Sequence, residues 1–217
     1  QDHDTATGFG FRIGYMGQIN PNFSVGATYT SKTKMSEFDK YKGLFAEGGN
    51  FDIPSHYSFG VAFMPAPGWT LAADYSRINY SDVPSVSNPS SAQAPLGAPN
   101  GPGFGWQDID VFKLGVAWQV NDAWTLRAGY NKGDNPITSA DVTFNILAPG
   151  VMEEHYTLGF TFTMDRNNEF TFSYMTAPRQ TVTGPSLFNS VLGAGAAGNE
   201  TIGMKQSAFG LAWGYKF

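Results

Sequence analysis

Apolar and polar residues alternate along four stretches of this chain, each interrupted once by a short turn. In the first, Phe9, Phe11, Ile13 and Tyr15 share one parity, and Gly10, Arg12, Gly14 and Met16 share the other. After the turn Asn20-Pro21-Asn22 the alternation resumes at Phe23-Ser24-Val25 and runs to Tyr29. The second stretch begins at Tyr57-Ser58-Phe59-Gly60, turns at Pro65-Ala66-Pro67-Gly68, and continues from Trp69-Thr70-Leu71 to Tyr75. In the third, Phe112, Leu114, Val116, Trp118 and Val120 oppose Lys113, Gly115, Ala117 and Gln119. A turn at Asn121-Asp122-Ala123 then leads through Trp124-Thr125-Leu126 to Tyr130. The fourth begins at Tyr156-Thr157-Leu158-Gly159, turns at Asp165-Arg166-Asn167-Asn168, and resumes at Phe170-Thr171-Phe172 and Tyr174. A period of two is the signature of a strand, and Asn, Asp, Pro and Gly supply the angles of tight turns. The pattern predicts four antiparallel hairpins, with Phe209 to Phe217 as a ninth strand.

Between the hairpins lie long segments, at about 36–55, 84–107, 135–154 and 179–204, which read as loops. Short turns at one end and long loops at the other are the arrangement of a transmembrane β-barrel. Composition sharpens this reading. Aromatic residues make up 15% of the chain and charged residues only 14%, with 26 glycines. Average proteins carry about 25% charge. Yet mean hydropathy is −0.24. No apolar run approaches the roughly 18 residues of a membrane helix. A barrel wall reconciles these facts, because only alternate residues face lipid. A soluble sandwich or lipocalin-like barrel is the alternative, and it would place its bulky residues inside. Here Phe23, Trp69, Trp124 and Phe170 each follow a short turn, where an interfacial girdle belongs. Tyr29, Tyr75 and Tyr130 lie roughly 20 Å further along their strands, near the opposite girdle.

The final segment, Phe209-Gly210-Leu211-Ala212-Trp213-Gly214-Tyr215-Lys216-Phe217, places bulky residues at every second position and ends on Phe. It resembles the C-terminal signal that directs outer-membrane proteins to insertion. An odd count of strands conflicts with the even number of bacterial single-chain barrels, and an unpaired edge is costly in lipid. The expectation is therefore a C-terminal fragment. Residues 1–7 would be an outer-loop remnant, and residues 8–217 part of one barrel domain. The barrel would be completed by an N-terminal remainder of the same protein.

Specific segments carry a family likeness. They are Phe51-Asp52-Ile53-Pro54 before Tyr57, Asp74-Tyr75 leading to Ile78-Asn79-Tyr80-Ser81-Asp82-Val83, and Asn135-Pro136-Ile137 before Val142-Thr143-Phe144-Asn145-Ile146-Leu147-Ala148-Pro149-Gly150-Val151. Together with His155-Tyr156-Thr157-Leu158-Gly159 they resemble the FadL/OmpP1/TodX family of outer-membrane transporters of long-chain fatty acids and hydrocarbons. The resemblance implies an all-β antiparallel barrel of about 14 strands, of which this chain supplies about nine. It also implies an N-terminal plug and a lateral gap in the wall, both formed by the N-terminal part. Fatty-acid transporters of the family place basic side chains near the substrate carboxylate. Pro102-Gly103-Phe104-Gly105-Trp106, just before the strand near Ile109, contains no basic residue. That argues against carboxylate-specific binding there.

The loops are unusually apolar, and the candidate capture residues are Phe45, Phe51, Phe104, Trp106, Phe144, Leu147, Met152 and Phe188. They point either to a surface for hydrophobic ligands or to loop-on-loop packing. Arg12, Lys113 and Arg127 fall on the expected lumen face with Asp74; internal salt bridges are the favoured role and a carboxylate ligand the other. Lys32 and Lys34, near an outer strand end, are candidate contacts for lipopolysaccharide phosphate. Enzyme chemistry finds no support. The three histidines are scattered, no HExxH or GxSxG occurs, and the glycine-rich 193–198 lacks the Lys-Ser/Thr of a phosphate loop. His56 and His155 recur at equivalent hairpin positions, which reads as architecture. A net charge of −5 without a basic patch excludes nucleic acid as a partner. With no cysteine, there is neither a disulfide framework nor a thiolate site. The chain is expected to need no metal or cofactor. Its expected partners are a hydrophobic small molecule, outer-membrane lipid and lipopolysaccharide, in a monomeric barrel. A general aqueous porin or a structural surface barrel is the rival reading, and the scarcity of charge counts against a porin's charged constriction.

Overall fold

A computed structural model describes residues 3–216. Nine strands form one antiparallel meander: β2 (Arg12–Asn20), β3 (Phe23–Thr30), β5 (Ser55–Phe63), β6 (Trp69–Asn79), β7 (Ile109–Gln119), β8 (Trp124–Gly133), β9 (Glu154–Thr163), β10 (Asn168–Pro185) and β11 (Asn199–Tyr215). A short pair, β1 (Gly8–Phe9) and β4 (Lys34–Met35), prolongs the first hairpin beyond a one-residue shift in register. Among the described residues no helix is long and apolar enough to cross a membrane. Phe217, the terminal residue of the insertion-signal reading, lies outside the described residues, as do Gln1 and Asp2 of the expected loop remnant.

The short turns close for local reasons. Asn20 Oδ1 accepts the Asn22 amide at 2.9 Å, and Asn121 Oδ1 accepts those of Ala123 and Trp124, each at 2.9 Å. Asp165 Oδ1 accepts the Asn167 and Asn168 amides at 2.8 and 2.9 Å. These donors hold the Asp165 carboxyl below its usual range, the Asn167 amide foremost. The remaining turn uses Gly68 at φ 80°.

Register fixes the two faces. Trp69 pairs with Trp118, Tyr75 with Phe112, Tyr130 with Tyr156, and Phe172 with Leu211 on one face. That face carries a Trp69–Trp118 stack with centroids 5.0 Å apart near the short turns. Trp124 lies 4.7 Å from Phe162 at the same end. Tyr75–Phe112 and Tyr130–Tyr156, each 5.2 Å, lie toward the other end. The opposite face is made of small and polar groups: Gly26 pairs with Gly60, Ala72 with Gly115, Gly115 with Gly129, Arg127 with Gly159, and Ser173 with Gly210. Large outward side chains such as Leu114, Leu158, Phe209 and Trp213 remain well exposed on the chain itself.

The loop reading of 179–204 is corrected by the structure. β10 and β11 continue as a ladder to Pro185 and Asn199, leaving residues 186–198 as the connection. Thr181 to Thr183 alternate against Thr201 to Gly203, but this threonine-rich run, with Pro178 at its base, lacks the bulky alternation that marked the other strands. Pro178 is tolerated because it sits at a register shift between Ala177 and Gln180. At 18 residues, β10 exceeds the ~9–11 that span a bilayer, so its outer part rises above the membrane.

Candidate functional site

The buried side chains of the chain are gathered at one end. Ala46, Val83, Val86, Ile137, Val142 and Val151 lie in the outer loops, and Ile109, Ala177 and Ile202 at outer strand ends. Ile137, Val142, Val151 and Ile202 form one cluster, against which Trp106, Val182 and Met204 pack. The four loops, residues 36–54, 80–108, 134–153 and 186–198, are locked to one another. The Ser85 hydroxyl donates to the Asn50 carbonyl, joining the first loop to the second. Asp141 Oδ1 accepts the Ser90 amide and hydroxyl at 2.8 and 2.9 Å, joining the second to the third. Gly105, at φ 70°, leaves room for that carboxylate, since a β-carbon there would stand 2.1 Å from Asp141 Cγ. Asn145, fully buried, donates to the Phe104 carbonyl at 2.7 Å and the Asp141 carbonyl at 2.9 Å, and accepts from Trp106 Nε1 at 2.6 Å. Glu200 accepts from Thr143 at 2.5 Å and Ser186 at 2.7 Å, fastening the third loop to the fourth.

Against this cap the predicted capture residues divide. Trp106 is a packing residue: it fills the cluster, meets Tyr80 edge-on at 5.0 Å, and carries the Asn145 hydrogen bond. Burial among these groups pushes the Tyr80 hydroxyl above its usual range. Phe104 lies half-buried 6.4 Å from Trp106. Phe45 and Phe51, 5.0 Å apart, join Phe38 and Tyr41 in a separate aromatic group of the first loop. Phe144 and Met152 are half-buried. Leu147 and Phe188 stand clear, 79% and 57% exposed, and Ile146, Val191 and Leu192 accompany them at 57%, 79% and 66%. The third and fourth loops are neighbours, because the Leu187 amide donates to Thr143 Oγ1 at 2.8 Å. The structure thus sets the exposed apolar residues of these two loops on adjoining segments, as an apolar fringe. Val191 and Leu192 were visible in the sequence only as apolar residues in a loop; what singles them out is their exposure.

The basic lumen residues are not brought together. Arg12 donates to Thr30 Oγ1 at 3.0 Å and Arg127 to Thr161 Oγ1 at 2.7 Å. Lys113 stands opposite Asp74 in register, and Asn131 and His155 follow along the same row. Among the described residues none of the three cations enters an ion pair, so the internal salt bridges expected from the sequence are not formed within this chain. Arg127 pairs with Ala117, four residues along β7 from Lys113, so the two lie on separate rows rather than forming one clamp. Lys32 is committed elsewhere, to Asp52 at 3.3 Å and the Asp82 carbonyl at 3.1 Å, which corrects its reading as a free lipopolysaccharide contact.

An antiparallel meander with outward aromatic girdles, an inner face of small groups and a packed outer cap defines the wall of an outer-membrane β-barrel. The profile of the family described as "Outer membrane protein transport protein (OMPP1/FadL/TodX)" matches residues 1–217, and the chain belongs to that family. Among solved structures, the Pseudomonas putida toluene transporter TodX shares 19% identity at a TM-score of 0.62, over 98% of this chain and 50% of that one. The Ralstonia pickettii toluene transporter TbuX shares 19% at 0.59, over 97% and 48%. A Pseudomonas aeruginosa FadL homologue shares 15% at 0.62, over 95% and 52%. The chain spans about half the length of these structures. A search of the curated proteins returned no match. The protein is thus an outer-membrane transport-family barrel, in a family of channels rather than enzymes.

Proposed function

We propose that this chain is the outer-loop-bearing half of a barrel that admits hydrophobic compounds, long-chain fatty acids or hydrocarbons among them, by passive uptake. The observation that carries this reading is the set Ile146, Leu147, Phe188, Val191 and Leu192, exposed on the neighbouring third and fourth loops beside a packed core of Ile137, Val142, Val151 and Ile202. Exposed apolar side chains grouped on neighbouring loops in this way mark binding surfaces. Two named relatives are toluene transporters, which supports the substrate class. Apolar burial would supply the selectivity, because the inner face offers glycine, alanine, serine and threonine rather than a ring of charge. An N-terminal remainder of the same protein would supply the other wall strands, in a monomeric barrel surrounded by lipid and lipopolysaccharide.

A carboxylate-bearing substrate is the second reading: Lys113 and Arg127 face inward without an ion pair among the described residues, and either offers a carboxylate a charge-assisted bond. Vesicles holding the complete barrel test the proposal. Uptake of a radiolabelled alkane or fatty acid should fall severalfold in the doubly substituted Leu147→Ser, Phe188→Ser protein, with sugar permeation low in both. Rapid sugar permeation, or unchanged hydrocarbon uptake, contradicts the reading.

A further inference from the structure

The terminal hairpin carries a pair of cations in an unusual setting. On its outward face Tyr174 pairs with Phe209 and Phe172 with Leu211, in the apolar band that meets lipid. One rung above, Thr176 and Ser207 face each other, their hydroxyls 3.5 Å apart. There β10 gains a residue: Ala177 pairs with Gln206 and Gln180 with Met204, so Lys205 stands opposite the bulged pair Pro178 and Arg179. Below the bulge, odd-numbered β10 residues face inward, as Ala177, Met175 and Ser173 do. The extra residue reverses this and turns Arg179 outward. Its guanidinium reaches a point 3.6 Å from where a β-carbon on outward-facing Gly203 would stand.

Arg179 and Lys205 are therefore like charges on the two adjoining strands at the bulge, an arrangement unfavourable to a sheet unless an anion lies beside them. The described residues provide none: both side chains are exposed, and neither enters an ion pair or a side-chain hydrogen bond among them. Two other outward cations at this end are neutralised. Arg77 binds Asp108 at 3.3 Å and Asp110 at 3.1 Å, and Lys132 lies 3.8 Å from Glu154. Lys34, opposite Phe9, has no second cation across from it.

We propose that Arg179 and Lys205 hold a phosphate of the outer-leaflet glycolipid, lipopolysaccharide, whose acyl chains lie along Phe209, Leu211, Tyr174 and Phe172. Two opposed cations match a phosphate, hydroxyls flank it, and the apolar band begins at the depth where acyl chains start. The site rests on the outward orientation of the wall and not on the substrate proposed above.

Native mass spectrometry of the complete protein, purified in mild detergent, tests the site directly. Wild type should retain bound lipopolysaccharide, Arg179→Lys should keep it, and the double variant Arg179→Ala, Lys205→Ala should retain about 30-fold less, about fivefold for each cation. Heat-modifiable migration on gels verifies that each variant folds. Lipopolysaccharide stripped of its phosphates should bind wild type no better than the double variant, and millimolar inorganic phosphate should not displace the intact lipid. Equal retention by wild type and double variant overturns the proposal. So does displacement by free phosphate, or a change of oligomeric state in the double variant without loss of lipid, which would mark a face between copies. Hydrocarbon uptake by the double variant should match wild type, so a failure here is separable from a failure of the transport reading.

Discussion

The wall and the cap of this half-barrel obey opposite rules. In the wall, large apolar side chains such as Leu158 and Phe209 are 62% and 78% exposed on the chain itself, and neighbouring strands are joined by backbone ladders. In the cap, Val83, Val142 and Val151 are completely buried and polar groups such as Asn145 and Asp141 bridge loop to loop. The wall takes lipid as its solvent, where every backbone polar group must be satisfied internally. The cap meets water and builds an ordinary core. Exposed apolar residues are thus unremarkable in the wall and informative in the cap, which is why the Leu147–Phe188 fringe, and not the aromatic girdles, marks the candidate site.

The comparison breaks most sharply at Asn145. Asn145→Leu removes the partner of Trp106 Nε1 and of two carbonyls, at ~1–3 kcal/mol for each group left unsatisfied. Proteolysis of the outer loops should accelerate strongly while heat-modifiable migration of the barrel persists; joint collapse of both would show that cap and wall are one unit. Next in size is a charge on the wall. Leu158→Arg should destabilise by ~2–4 kcal/mol in a folding titration in bilayers. Its inward neighbour Thr157→Arg should cost far less, and equal costs would erase the distinction between faces. Smaller again on stability, within ~0.5 kcal/mol, are the serine substitutions at Leu147 and Phe188, which should act on uptake instead. The smallest effect concerns the Asp165 turn. Its carboxyl is held below the unfolded value, so its contribution is present above the unfolded pKa and lost as pH falls through the lower folded one. Asp165→Asn should flatten that acid dependence in hydrogen exchange of Asn167 and Asn168 and leave neutral-pH exchange almost unchanged.

The wall was legible because its alternation is carried by bulky rings: Phe112 to Val120 declares both period and face. Where the outward residues are threonine and glycine, as at Thr181 and Gly203, the same geometry left no hydrophobic trace, and the top of the last hairpin read as loop. The cap was legible as an apolar composition but not as an arrangement. Whether Trp106 or Leu147 is exposed depends on contacts between loops roughly 40 residues apart, such as Trp106 with Asn145. Arg179 was hidden for a different reason: a single inserted residue reverses the face on which parity would place it.

This chain contains no native cysteine, so single cysteines can be placed from Val111 to Trp118, labelled with a fluorophore, and exposed to a lipid-soluble or a water-soluble quencher in bilayers. The account predicts lipid quenching at 112, 114, 116 and 118 and none at 113, 115 and 117. The reversed alternation, or water quenching at every position, would contradict it.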